Sequence, residues 1–478
     1  MAWRCWLLGG MILVVATVGA LPAAAQTLRV GFGEVDITPE LRDDRPVWIA
    51  GYGHGRQATG VHDPLFARCL VLHDGQRKIA LVSVDLIGLQ YAETKRLRAA
   101  LADYHYVLVS STHNHEGPDV IGIWGRTAFV RGVDDDYLSL VVERAAEAVR
   151  AAERQLVEVT AAYGTAEDEK LLRDSRRPYV KDGVLRVLVF RRPGQEKPAG
   201  LAVQWNCHPE ALDSKNTLIT ADFPWATIAA LKARYACPVV YFTGAVGGLM
   251  APPGGQFQNA AGKTLHSGEF EFAQVYGEQV ARLTEQAIDR AQPIDLTPVT
   301  VSAKAIAVPL QNPMYGAARS IGVLKREARR WTGNAEELGE SVGLLDKTEG
   351  PLAVETEVAY LRLGELHVAA IPGEIYPELV YGKFEDPADP HVDFPDAPLE
   401  KSVVQILPGD RWMLLGLAND EIGYIIPKRQ WDQEPPFAYG RNKSQYGEIN
   451  SCGPEIAPLV MQALENRVRE VTPLAGAN

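Results

Sequence analysis

Three short segments place metal-binding or acid–base side chains where an apolar run gives way to a loop. The first is Ser110-Ser111-Thr112-His113-Asn114-His115-Glu116-Gly117-Pro118. His113 and His115 are two residues apart, so on an extended backbone both rings fall on one side. Such a pair suits zinc, because imidazole is a borderline-soft ligand and two rings can aim at one ion. Alone, it reads equally well as two hydrogen-bonded loop histidines. The second segment, Trp205-Asn206-Cys207-His208-Pro209-Glu210, again ends an apolar run in a histidine, and its proline keeps the chain extended. With ten histidines in the whole chain, two sites of this kind are more telling together than either alone. The third run, 366–371, ends in Pro372-Gly373-Glu374 and brings a carboxylate to the equivalent place. Two histidines and a glutamate are a zinc shell used in hydrolysis.

These residues need strands to hold them. Leu28–Val35, Ala67–His73, Ile79–Val84 and Tyr106–Ser110 are rich in β-branched residues and bounded by turn signals. Further strands are predicted at Leu185–Phe190, Gly200–Trp205, Val239–Phe242, Thr356–Leu363, Leu366–Ile371, Val403–Leu407 and Trp412–Leu417. Helical periodicity marks Tyr91–Leu101 and Asp136–Gln155, where Tyr137, Leu140, Val141, Ala145 and Val149 share a face. Pro224–Arg234, Phe270–Arg290 and Val460–Val468 are also predicted helices, and so is Ala317–Trp331, with Lys325, Arg326, Arg329 and Arg330 on a solvated side. Asp222 is read as a helix N-cap. No internal repeat or low-complexity linker interrupts the alternation. The expected fold is α/β (α+β), with mixed sheets covered by helices in one large multilayer domain over residues 26–478.

Residues 1–25 read as a secretory signal peptide: Arg4, a short apolar stretch, then Ala23-Ala24-Ala25. A retained membrane anchor is the competing reading. The expected location is therefore periplasmic or extracellular, with no transmembrane segment after cleavage. A formal net charge of −12 without a basic run argues against nucleic acid as a partner. Beyond Cys5, the cysteines Cys69, Cys207, Cys237 and Cys452 form no Cys-x-x-Cys pair, which argues against a cysteine zinc cluster. An oxidising compartment permits up to two disulfides, with buried free thiols as the alternative.

In this order the motifs resemble the neutral (non-lysosomal) ceramidase family. Its Gly-x-Gly-x-x-Asp-Ile-Thr opening is matched from Gly31 to Thr38, and its Gly-Tyr by Gly51-Tyr52. Ser83-Val84-Asp85, Thr112 to Pro118, the His208-Pro209 site, Pro372-Gly373-Glu374 and the run Asn419 to Tyr424 follow in family order. The resemblance implies zinc (Zn2+) held by His113, His208, Glu374 and Tyr424. It also implies a polar active-site role for His115 and a substrate-facing arginine at Arg176 rather than Arg177. The second tyrosine it implies is Tyr446, with Tyr439 as fallback. The substrate would be a small-molecule or lipid amide, hydrolysed by metal-activated water, with His115 passing a proton to the leaving amine and Arg176 and Tyr446 stabilising the oxyanion.

Two departures stand out. The family's Gly-Asp-Val-Ser-Pro loop is Gly244-Ala245-Val246-Gly247-Gly248 here, so its serine is Gly247 and its aspartate Ala245. A serine restored at Gly247 is expected to regain a substrate contact in a roomier pocket. The sequence also ends soon after Pro454, short of the family's C-terminal immunoglobulin-like domain. The alternatives are a zinc-dependent esterase or lactonase, and a metal-keeping binding protein without turnover.

Overall fold

The computed structural model describes residues 27–344, 346 and 350–472, so the expected leader lies outside the described residues. Its strands form three main sheets built on one plan. The first runs in the order Tyr106–Ser111, Lys78–Val84, Phe66–His73, Arg29–Asp36, Val157–Glu158. It is antiparallel except at the edge, where Tyr106–Ser111 lies parallel to Lys78–Val84. The helix Tyr91–Ala100 supplies the crossover that a parallel pair requires. The second sheet runs Val239–Thr243, Pro198–Trp205, Val184–Arg191, Thr160–Glu167, Gln292–Ile294. Its edge pair, Val239–Thr243 with Pro198–Trp205, is again parallel, and the helix Asp222–Tyr235 is the crossover. The third is built on Leu352–Leu363, and within it Leu366–Ala370 lies parallel to Trp412–Leu415.

The three sheets share an inner core. Leu70 and Leu72 from the first, Phe190 and Phe242 from the second, and Leu361 and Met413 from the third belong to one buried cluster. Successive side chains on a strand point to opposite faces, so Cys69 and Val71, interleaved with Leu70 and Leu72, face outward into a different cluster. There Tyr137, Val141, Ala145 and Val149 of the helix Asp135–Glu153 meet them. The second sheet is covered by Asp222–Tyr235 and Phe270–Asp289, and the third by Ile456–Val471. With both faces covered, a strand such as Phe66–His73 reads as an almost unbroken apolar run. The first sheet's helix lies very close: a Cβ on Gly33 would fall 2.1 Å from the Ala148 carbonyl oxygen. That approach explains why the opening motif needs its glycines.

Several expectations are corrected. Val403–Ile406 is a helix, because Gln405 reaches back to accept a hydrogen bond from Ser402 N (2.9 Å) and closes a first turn there. The helix expected through Trp331 is Pro313–Ser320, followed by Gly322 at φ 76°, and Ala328–Arg330 is a strand. Its basic residues are not one solvated face, since Arg326 is buried against Asp420 and Arg319 donates to the Gly343 carbonyl. Asp222 is the first helical residue rather than the cap, and its carboxylate accepts from Ala211 N and Leu212 N in the loop after His208. The strand Thr160–Glu167, made largely of small residues, carried no clear sequence signal. The four described cysteines are all buried free thiols.

Candidate metal centre

The carboxyl ends of three strands, one from each sheet, are tied together. Ser110 Oγ donates to the Gly416 carbonyl (2.9 Å), Gly416 N donates to the Thr243 carbonyl (2.9 Å), and Thr243 Oγ1 donates to the Thr112 carbonyl (2.8 Å). This closed triangle leaves no room at its third corner, where a Cβ on Gly416 would lie 2.3 Å from the Gly244 oxygen. Outside the carboxyl ends of parallel strands is where α/β sheets place their ligands. His113 follows the first of these strands, His208 follows Pro198–Trp205 and Glu374 follows Leu366–Ala370. The three sheets thus deliver one residue each.

Two of these rings are fixed at the back and open at the front. His113 Nδ1 donates to the Ile87 carbonyl (2.7 Å) and His208 Nδ1 to the Met250 carbonyl (2.8 Å), which leaves each Nε2 facing inward. Glu374 Oε2 stands between them, 3.3 Å from His113 Nε2 and 2.9 Å from His208 Nε2. His113 holds φ 66°, a left-handed conformation rare for a side chain of this size and tolerated where surroundings enforce it. Burial opposes charging the His113 ring, but the Glu374 carboxylate outweighs it and raises the ring to about 9. Glu374 is held below the usual carboxylate range, although burial pushes the other way, because the two histidines favour its charge.

His115 completes a group of three buried histidines whose ligand nitrogens all lie within 4.8 Å of one another. A Cβ on Gly51 (φ 98°) would strike this ring at 2.4 Å, so the Gly-Tyr motif is the seat on which His115 rests. Arg56 donates to the His115 and Ala50 carbonyls and pairs with buried Glu116, fixing the loop from behind. Burial, then the charges of His113, His208 and Arg56, hold His115 well below the usual imidazole range. Both its ring nitrogens are buried without a hydrogen-bond partner. Nδ1 does lie 3.1 Å from Glu210 Oε1, but off the line a hydrogen bond needs.

Two carboxyl groups at this site were not singled out in the sequence. Glu210 is one, and its position directly after His208-Pro209 was the available signal. Glu421, inside the Asn419-to-Tyr424 run, is the other. Its Oε2 is buried and unpaired, and burial followed by the nearby Glu374 charge raises it.

The remaining predicted residues divide. Tyr424 is brought in, for its backbone pairs in parallel with Glu374 and its ring lies between those of Tyr376 (6.1 Å) and Tyr446 (5.9 Å). Tyr446 borders the cluster and stays half exposed. Arg176 is held by the protein itself, with Nε alone buried and unpaired. It is buried, its two terminal nitrogens are engaged by Glu448 (2.7 and 2.9 Å), and it also donates to the Tyr446 and Gln430 carbonyls. It positions the Tyr446 loop. Tyr439 donates to Glu385 and Arg177 lies over the Tyr179 and Tyr439 rings, on a surface cluster of their own. Nor is the space at Gly247 roomy: a Cβ there would lie 2.7 Å from Tyr376 N and 2.8 Å from the Glu374 carbonyl oxygen. This glycine is where the loop packs against the Glu374 backbone.

The donor set suits a cation. Ligand atoms around a tetrahedral zinc are about 3.3–3.6 Å apart when each bond is near 2.1 Å. The His113–Glu374 distance of 3.3 Å meets that spacing, and the His208–Glu374 distance of 2.9 Å is a hydrogen bond that a bound ion would replace. Among the described residues no helix is long and apolar enough to cross a membrane.

Residues 28–232 match the family described as neutral/alkaline non-lysosomal ceramidase, N-terminal. Two solved structures have a similar fold. Neutral ceramidase from Pseudomonas aeruginosa aligns with a TM-score of 0.66 at 16% identity, over 95% of this chain and 76% of that one. A ceramidase complexed with C2 aligns at 0.64 and 17% identity, over 95% and 77%. No curated protein sequence matches.

Proposed function

We propose that this chain, whose residues 28–232 match the neutral/alkaline non-lysosomal ceramidase family, is an exported zinc-dependent hydrolase that cleaves the amide of an N-acyl sphingosine or another N-acyl compound. The observation that carries this reading is the single Glu374 oxygen shared between two histidine Nε2 atoms whose rings are each anchored by a backbone carbonyl. His113, His208, Glu374 and Tyr424 would hold the ion, and when bound it would polarise the amide carbonyl and acidify water. His115 is neutral and has uncommitted nitrogens, so it is suited to take a proton and return it to the leaving amine. Tyr446 presents a hydroxyl from the exposed side, where it would donate to the developing oxyanion, and Arg176 fixes its backbone. The loop at Ala245 and Gly247 offers neither hydroxyl nor carboxylate, so it adds no proton-transfer group of its own beside His115.

A panel of N-acyl amides and matched esters, assayed with zinc and with chelator, tests this. Amide cleavage should require zinc, disappear with chelator and return on re-addition. Cleavage of esters alone would make the protein an esterase, and zinc binding without turnover of either would make it a binding protein.

A further inference from the structure

The metal cluster is almost closed, and what remains open at its border has a definite charge. The side chains of His113, His115, His208 and Glu374 are each no more than 8% exposed, whereas that of Glu210 keeps 24%, and Tyr446 as a residue keeps 50%. Among the described residues Glu210 forms no ion pair with a lysine or arginine, and its one close charged-group contact is the His115 ring. Arg56 is committed to Glu116, to two backbone carbonyls and to the Tyr52 ring, over which it lies 4.8 Å from the centroid, so it does not neutralise Glu210. Tyr52 stands edge-on to His115 (5.2 Å between centroids), and Tyr446 stands edge-on to Tyr424 (5.9 Å). Burial does most to make the Tyr52 and Tyr446 hydroxyls hard to ionise, and the Glu210 charge adds to it in both, which places the carboxylate near these two rings. One face of Tyr52 is taken by Arg56, so a carboxylate without a basic partner, near the half-exposed Tyr446, is what meets an organic cation there, through charge first and the tyrosine ring second.

We infer that Glu210, with Tyr446, is a specificity determinant selecting amides that carry a positive charge close to the scissile bond, such as an alkylammonium group. This rests on the cluster being an amide site, and it narrows the substrate from N-acyl compounds in general to cationic ones. A carboxylated analogue would meet Glu210 at close range and be rejected.

The test uses the full chain loaded with zinc and three amides of one acyl chain whose amine side ends in trimethylammonium, hydroxyl or carboxylate. Dissociation constants are read by calorimetry and turnover is read separately. Wild type should bind the trimethylammonium amide about tenfold more tightly than the hydroxyl one, in keeping with ~1–2 kcal/mol for a cation held by one charge and an aromatic ring. Glu210→Gln, which preserves size, should bring that ratio near one, and Glu210→Lys should shift preference to the carboxylate, with zinc content measured in each. Equal affinities in wild type, or a cation preference that survives Glu210→Gln, would overturn the inference. Selective binding without turnover would leave it standing and sink the hydrolase reading. Turnover without charge preference would do the reverse.

Discussion

At the residue scale, ligand and neighbour are distinguished by what holds the other side of each ring. His208 is clamped through Nδ1 by the Met250 carbonyl and touches Glu374, whereas neither His115 nitrogen has a hydrogen-bond partner. His208→Ala should therefore remove most of the bound zinc, and His115→Ala should retain it while turnover falls by about 10²–10⁴, the range for a proton-transfer group. Metal analysis and kinetics on the two variants check this, and equal zinc loss would make His115 a ligand. Gly247→Ser is a second case in which geometry decides. The sequence encouraged the view that serine would restore a contact, but its Cβ would collide with backbone atoms of Glu374 and Tyr376. Overpacking of this kind costs about 1–3 kcal/mol, so the variant should melt lower and bind zinc more weakly. Unchanged melting and zinc content would show that the loop packs differently. Protonation also belongs at this scale. With His113 raised to about 9, the metal-free site holds a proton at pH 7–8 that a cation must displace. Zinc affinity should thus rise with pH and level off above about 9, with close to one proton released per ion at pH 7.5. Calorimetry in buffers of different ionisation enthalpy measures that release.

At the scale of elements, the site depends on stitching between sheets that the sequence could not display. Asn419 is in the left-handed region (φ 66°), and its side chain accepts from Val109 N while donating to Tyr106 Oη and Glu357. It ties the loop that leads to Tyr424 onto the strand that leads to His113. Asn419→Ala would leave the buried Val109 N–H without its acceptor, while the Tyr106 hydroxyl keeps its bond to Glu357, at a cost of about 1–3 kcal/mol. Lower denaturant stability with weakened zinc binding is the expected result, and normal values of both would remove Asn419 from the positioning role. Apolar runs and helical periodicity made most long strands and helices legible, because these depend on local pattern. The Val403–Ile406 helix and the burial of Arg326 were not legible. One turns on a four-residue capping interaction, the other on an ion pair to a residue 94 positions away.

On the scale of the whole molecule, three sheets surround one core, each with a parallel edge pair, and together they aim three strand ends at one point. The sequence shows no repeat, since each sheet meets the shared plan with different residues, and only the strand-end His113, His208 and Glu374 betray it. Arg176 shows a related limit of pattern: a motif marks that an arginine is needed, not that both its terminal nitrogens are engaged by Glu448. The most direct test of the account is a crystal structure of zinc-loaded protein with anomalous data at the zinc edge. One peak is expected within about 2.0–2.2 Å of His113 Nε2, His208 Nε2 and a Glu374 oxygen, with the Tyr424 hydroxyl beside it. No peak there under saturating zinc, or a peak bound by other residues, would contradict it.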